Sequence, residues 1–327
     1  MKEIFRNHRF SPDAVKLLGE ITSVVRRYQA MGLRLTLRQL YYQLVTKNLI
    51  RNEERQYKRL SGLLSDARLM GLVDWDAIED RIRQPRRHPE FDDLSNLVDA
   101  ALSSYRLNRW EGQKTYAELW IEKDAIAGVL SPIAREYHAT LMVNRGYSSQ
   151  SAMYDAAKRF LNACWGPLVL KQALRPLGEE KSTRDCYLLD RDKLGEALVR
   201  PVLFYLGDHD PSGEDMVRDI RDRLVMFGVS GIEVRKIALT MDQVEEYDPP
   251  PNPAKLTDPR SQEYVAKHGD SSWEVDALPP EVLERLVREA FDGIIDLHAL
   301  KRVTDREEKD KAALRKAVAQ IMKGGRK

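Results

Sequence analysis

The sequence predicts an α/β protein. A mostly α N-terminal domain precedes a mostly parallel sheet with helices on both faces, and more helices close the chain. Three observations carry this. Capped apolar stretches at helical spacing fill the first part of the chain to about residue 70. Strand-like and helix-like stretches then alternate, the pattern of parallel strands joined by helical crossovers. The 327 residues have room for about two domains of roughly 100–200 residues each.

Ser11-Pro12-Asp13 has the chemistry of a helix start, a capping hydroxyl followed by proline and an acid. Leu17, Leu18, Ile21, Val24, Val25 and Tyr28 then recur on one helical face, and Gly32 is a plausible stop. Thr36 can cap a second helix, LRQLYYQLVTKN. A third runs roughly from Glu53 to Met70 and ends at Gly71. The next stretch, LVDWDAIEDRIRQPRRHPEF, is short and turn-rich and suits a small strand pair or wing. Three helices and a wing describe a winged-helix domain over residues 1–88. In related helix-turn-helix units one helix enters the major groove of DNA. Lys58, Arg59 and Arg68 on the third helix suit phosphates. The Arg-Pro-rich run near Gln84 to Pro89 reads as a boundary, and a linker helix follows within 89–112.

Residues 113–248 read as the sheet domain. YAELWIEK, ATLMVN, PVLFYLGD and GIEVRKIAL are its strands. DAIAGVLSPIAREY, SSQSAMYDAAKRFL and SGEDMVRDIRDRLVMF are its helices. The segment 165–200 is long for a βα connection and reads as an insertion. Residues 249–327 form a C-terminal extension. PPPNPAKLTDPR has too many prolines for regular structure, and helices run from PPEVLERLVREAFDGIIDLHAL to about Met322.

The composition, 43% hydrophobic and 32% charged, is that of a soluble globular protein. No apolar run approaches the roughly 18 residues of a membrane span, and the N-terminus has no apolar signal region. Cys164 and Cys186 have no metal-like spacing, so a cytoplasmic protein with free thiols is expected. The net charge of +2 hides an asymmetry: residues 1–90 carry 18 Lys/Arg against 11 Asp/Glu, the remainder 35 against 40. A basic N-terminal part fits nucleic acid, and equally a solvated Arg-rich surface.

Two stretches carry chemistry. Glu122 ends the first strand of the sheet domain; Asp208 and Asp210, in YLGDHDPSGEDM, follow the third. Parallel sheets bring such strand ends to one edge, where ligands bind. Three carboxylates meeting there suit Mg²⁺, which can neutralise charge developing on a phosphodiester. Two other readings of DHDPSGED stand beside this one. Its acids can cap the next helix. Its spacing also matches an EF-hand, although a strand rather than a helix precedes it and Asp219 takes the place of the twelfth-position Glu. A near-copy of the pattern lies at Asp190, Asp192 and Gly195, where Arg191 and Lys193 can neutralise the acids. In RQLYYQL, Arg38 and Tyr42 are four apart and share a helical face, while Tyr41 points about 100° away. The pair suits a helix–helix contact. It also suits a tyrosine that attacks phosphorus beside a guanidinium that binds the phosphate.

RQLYYQL, IEKDA, NRGYSS and GDHDPSG, in that order and spacing over roughly residues 30–230, together resemble the A subunit of type IIB DNA topoisomerases (topoisomerase VI) and the related meiotic double-strand-break proteins. The resemblance implies a Toprim domain after the winged helix. It implies Tyr42 as nucleophile, Arg38 as its phosphate partner, and Mg²⁺ on Glu122, Asp208 and Asp210, with Glu122 also a general acid or base. NRGYSS corresponds to the family's glycine turn, placing Arg145 and Gly146 near DNA. A homodimer cutting both strands of double-stranded DNA and staying on the 5′ ends is implied, with the tyrosine of one subunit serving the metal site of the other. The chain has no Walker-type loop, so any ATPase is a separate partner. Its C-terminal part, with WEVDALPP, departs from topoisomerase VI and resembles the compact stand-alone mini-A relatives of bacterial mobile elements and phages. A nucleoid-associated protein is then expected. A water-using Toprim nuclease with structural tyrosines and a non-catalytic DNA-binding protein remain as alternatives.

Overall fold

The computed structural model describes residues 2, 4–79, 88, 90–176, 187–254 and 261–324. The N-terminal helices are α1 (Pro12–Ala30), α2 (Leu37–Thr46) and α3 (Glu54–Leu69). Ser11 caps the first through the Ala14 N–H, and Thr36 with Gln39 forms a capping box on the second. Leu18, Ile21, Leu40, Leu44, Leu60 and Leu64 close their shared core. Among the described residues, 72–79 hold a 3₁₀ turn (Trp75–Ala77) and a single bridge from Ile78 to Leu35. Residues 80–87 and 89 of the expected wing, and with them the Gln84 to Pro89 boundary except His88, lie outside the described residues. The linker helix is α4 (Leu94–Ser104).

The chain then alternates as the sequence predicts: β1 (Thr115–Ile121), α5 (Ala127–Glu136), β2 (Leu141–Val143) and α6 (Gln150–Cys164). The insertion contributes α7 (Pro167–Ala173), an antiparallel hairpin of β3 (Leu174–Pro176) and β4 (Tyr187–Leu189), and the single turn α8 (Arg191–Leu194). After it come β5 (Arg200–Leu206), α9 (Pro211–Met226), β6 (Glu233–Ala238) and α10 (Met241–Tyr247). The extension holds β7 (Asn252–Pro253), α11 (Ser261–His268), β8 (Ser271–Ser272), α12 (Pro280–Asp292) and the long α13 (Leu297–Gly324).

Four strands form one parallel sheet in the order β2-β1-β5-β6. Period-two alternation splits its side chains between two layers. Leu119, Ile121, Phe204 and Leu206 pack with α5 and α12; Trp120, Leu203 and Tyr205 pack with α6 and α9. The crossover from β1 runs to β2 on one side, and that from β5 to β6 on the other. The order therefore reverses between β1 and β5, and such a switch point opens a crevice at the carboxyl ends of the strands. Among the described residues no helix is long and apolar enough to cross a membrane.

The last helix is fastened by a buried carboxylate. Glu307 accepts from the Leu107 N–H at 2.9 Å and from Lys311 at 2.6 Å, and it forms an ion pair with Arg109 at 2.7 Å. Burial alone raises its carboxyl; these donors overcome that and hold it at about 2, against an ordinary 4.5. A depressed folded pKa contributes stability that is full above 4.5 and is lost as pH falls towards 2. Replacing Glu307 with Gln is expected to lower stability at pH 7 by about 2 kcal/mol and to flatten the loss between pH 4.5 and 2. Urea titrations across that range check both; an acid limb of unchanged slope refutes the assignment.

Candidate active site

Glu122 and Asp208 meet at the switch point. The Glu122 N–H extends the β1–β5 ladder by bonding the Leu206 carbonyl at 2.8 Å. The Asp208 N–H donates to Glu122 Oε2 at 2.9 Å, and the Tyr205 hydroxyl donates to the same oxygen at 3.3 Å. Asp208 is buried. Its Oδ1 accepts from the Val275 N–H at 3.0 Å, and its Oδ2 lies 2.7 Å from Lys123 Nζ. Burial pushes the Asp208 carboxyl up to about 7; the Glu122 charge adds to this and Lys123 opposes it.

Asp210 takes a different part. It is the N-cap of α9, its Oδ1 accepting from the Gly213 N–H at 2.6 Å. The turn is tight enough that a Cβ on Gly213 would stand 2.1 Å from the Asp208 carbonyl oxygen, so only glycine fits. Among the described residues no three acids are grouped to hold a metal. The structure brings Glu122 and Asp208 together and uses one oxygen of Asp210 as a helix cap. The near-copy is separate: Asp190 follows the hairpin strand β4 and lies 4.0 Å from Lys193, and no interaction with Glu122 occurs among the described residues.

The tyrosine pair lies on α2. Tyr41 packs on Tyr57 and donates to Asn52 Oδ1 at 3.0 Å. Tyr42 is 5% exposed, with Arg38 Nη2 3.3 Å from its oxygen and the guanidinium 5.6 Å from its ring centre. Burial pushes its hydroxyl up to about 12; Arg38 lowers it and Asp276 raises it further. At neutral pH it is a phenol.

The sequence reading missed what joins these two groups. After β8, which pairs with β7, Trp273 exchanges backbone hydrogen bonds with His209 at 2.8 and 2.9 Å. A 3₁₀ turn, Val275–Ala277, then crosses between α2 and the acid edge. Glu274 accepts from Lys123 at 3.1 Å and pairs with Arg38. Asp276, 1% exposed, has Oδ2 2.9 Å from Arg38 Nε, an ion pair close in distance but not aligned as a hydrogen bond. Asp208, Lys123, Glu274, Arg38 and Asp276 thus form an unbroken row of alternating charge. Its only trace in the sequence is the two acids of WEVDALPP, which read simply as a departure from the resembled family.

The basic candidates separate. Lys58 and Arg59 are exposed on α3, with Lys58 2.7 Å from Glu54. Arg68 is turned inward: it donates to the Trp75 carbonyl at 2.7 Å and stacks 4.4 Å from the Trp75 ring, fastening that turn to α3. Arg145 and Gly146 form a left-handed turn beside Glu122, the Arg145 N–H donating to the Glu122 carbonyl at 3.0 Å. The Arg145 guanidinium is exposed, 3.6 Å from Asp124. Preceding them, the buried Asn144 amide leaves both polar atoms without a hydrogen bond.

Oxygen donors from two adjacent strand ends suit a hard cation, since Mg²⁺ usually takes one or two carboxylates and keeps its waters. The Lys123 ammonium already stands where such a cation would pair with Asp208, and Asn144 offers an unused oxygen at the same edge. The residues therefore fit Mg²⁺ once Lys123 moves. No family model and no curated protein matches this chain.

Cap and charge can be separated at Asp210. Asp210→Ala is expected to cost about 1 kcal/mol in urea denaturation, and Asp210→Asn only a few tenths, because an amide oxygen still caps. An asparagine as costly as alanine refutes the capping role.

Proposed function

We propose that the chain is a Mg²⁺-dependent enzyme that cleaves and rejoins double-stranded DNA through Tyr42. On this reading, a winged-helix domain carries the tyrosine and a Toprim domain carries Glu122 and Asp208, as in the A subunit of type IIB topoisomerases. One observation carries the proposal: the row of ion pairs that connects Arg38, beside the Tyr42 oxygen, to the Asp208 carboxylate. A phosphodiester would pair with Arg38 at one end of that row, and its metal with Asp208 at the other.

Arg38 would grip the phosphate in the fork its guanidinium now offers to acids. Tyr42 would lose its proton to a nearby base and form the new bond to phosphorus. The bond to the 3′ oxygen breaks, and that oxygen takes up a proton, leaving the 5′ end on the protein. Glu122 would move that proton. Mg²⁺ on Glu122 and Asp208 would neutralise the charge that develops on the phosphate. Exposed Lys58, Arg59 and Arg145 would lie along the DNA backbone. A homodimer, each tyrosine serving the partner's acids, follows from the resemblance and is part of the proposal; within one chain Arg38 also faces its own acid edge.

A second reading has a specific observation behind it. A phenol held at about 12 is a poor nucleophile, which favours a nuclease that uses water at the same acids. One experiment separates the two. Supercoiled plasmid is incubated with protein and Mg²⁺ or Mn²⁺, with and without ATP, then denatured and resolved for relaxed, linear and protein-linked DNA. The tyrosine mechanism predicts protein-linked 5′ ends that Tyr42→Phe abolishes, at least 1,000-fold. Cleavage by Tyr42→Phe at the parent's rate means that water is the nucleophile. DNA binding without cleavage by the parent refutes both.

A further inference from the structure

The Lys123 ammonium holds a position that the proposed reaction needs emptied. It lies 2.7 Å from Asp208 Oδ2 and 3.1 Å from Glu274, on the residue directly after Glu122. A divalent ion bound to Asp208 would come within about 4 Å of that ammonium, where like charges repel strongly. Both cannot keep the same oxygen.

The rest of the site is arranged so that only this one contact exchanges. Asp208 Oδ1 is held by the Val275 N–H, and the Asp208 carbonyl by Lys236 at 2.8 Å. Lys236 is itself fixed by Glu214 at 2.6 Å. The aspartate therefore keeps its aim when Lys123 leaves. Lys123 is 21% exposed along its side chain, twice the 10% of Lys236, so it has a route outward. Its departure leaves Glu274 with Arg38 alone among the described residues.

We propose that Lys123 is the resident cation of the acid edge, and that a divalent metal displaces it from Asp208 and frees its ammonium for a phosphate oxygen of the substrate. Lys123 is a positioning residue in this scheme. It keeps the buried Asp208 and the half-buried Glu274 together before the metal arrives and meets the substrate afterwards. The proposal rests on the metal reading given above.

The test uses the full chain without DNA. Lysines are acetylated briefly with an amine-reactive anhydride, with Mg²⁺ or with Na⁺ at equal ionic strength, and each site is read by peptide mass spectrometry. Lys123 labelling is expected to rise at least threefold with Mg²⁺, while exposed Lys58 stays constant. In parallel, calorimetry measures Mn²⁺ binding to the parent and to Lys123→Met, which is expected to bind at least tenfold tighter. If the parent binds metal but Lys123 labelling stays flat, the displacement is overturned and the metal site stands. If neither parent nor variant binds metal, both readings fall. Should Lys123→Met fail to fold, the labelling of the parent decides alone.

Discussion

Two carboxylates are forced together where β1 and β5 end, and the surrounding structure answers their repulsion. Burying Asp208 beside Glu122 costs free energy unless donors surround the pair. The donors come from distant parts of the chain: the Asp208 N–H and the Tyr205 hydroxyl on Glu122, and Lys123 and the Val275 N–H on Asp208. Val275 brings the C-terminal extension to the sheet edge. Its neighbours Glu274 and Asp276 then take Arg38, which fastens α2 of the N-terminal domain to the same edge. A single electrostatic demand at a switch point thereby ties together three regions that the sequence presents as separate.

What was legible follows from range. The caps of α1 and α2 and the alternation of β1, α5, β2 and α6 are written in local spacing, and they stand where the spacing puts them. Glu122 and Asp208 could be paired across 86 residues because topology, not side-chain detail, brings parallel strand ends to one edge. Asp210 kept two readings, since an aspartate before Pro-Ser-Gly caps a helix or binds a cation with the same local pattern; the 2.6 Å contact to the Gly213 N–H shows the cap. Arg68 was misread for a related reason. A cation on a helix looks free until the turn that covers it, at Trp75, is in place. Lys123, Glu274 and Asp276 left no usable signal. Their partners lie 85 to 238 positions away along the chain, and no periodicity encodes such pairs.

The same row of charges bears on how the proposed chemistry could begin. Arg38 is shared by Glu274, Asp276 and the Tyr42 oxygen, and two full charges outcompete a neutral phenol for it. Tyr42 is thereby left buried and protonated, and Lys123 keeps Asp208 neutralised. Few species can undo both contacts. An anion with paired oxygens matches the guanidinium as well as a carboxylate does, and a phosphodiester is such an anion. A divalent cation is what can replace an ammonium on Asp208. On the proposed reading, the substrate and its metal are therefore the two agents that open the site. An arginine taken by phosphate turns its charge from Glu274 and Asp276 towards the phosphate that Tyr42 would attack, beside which it already stands.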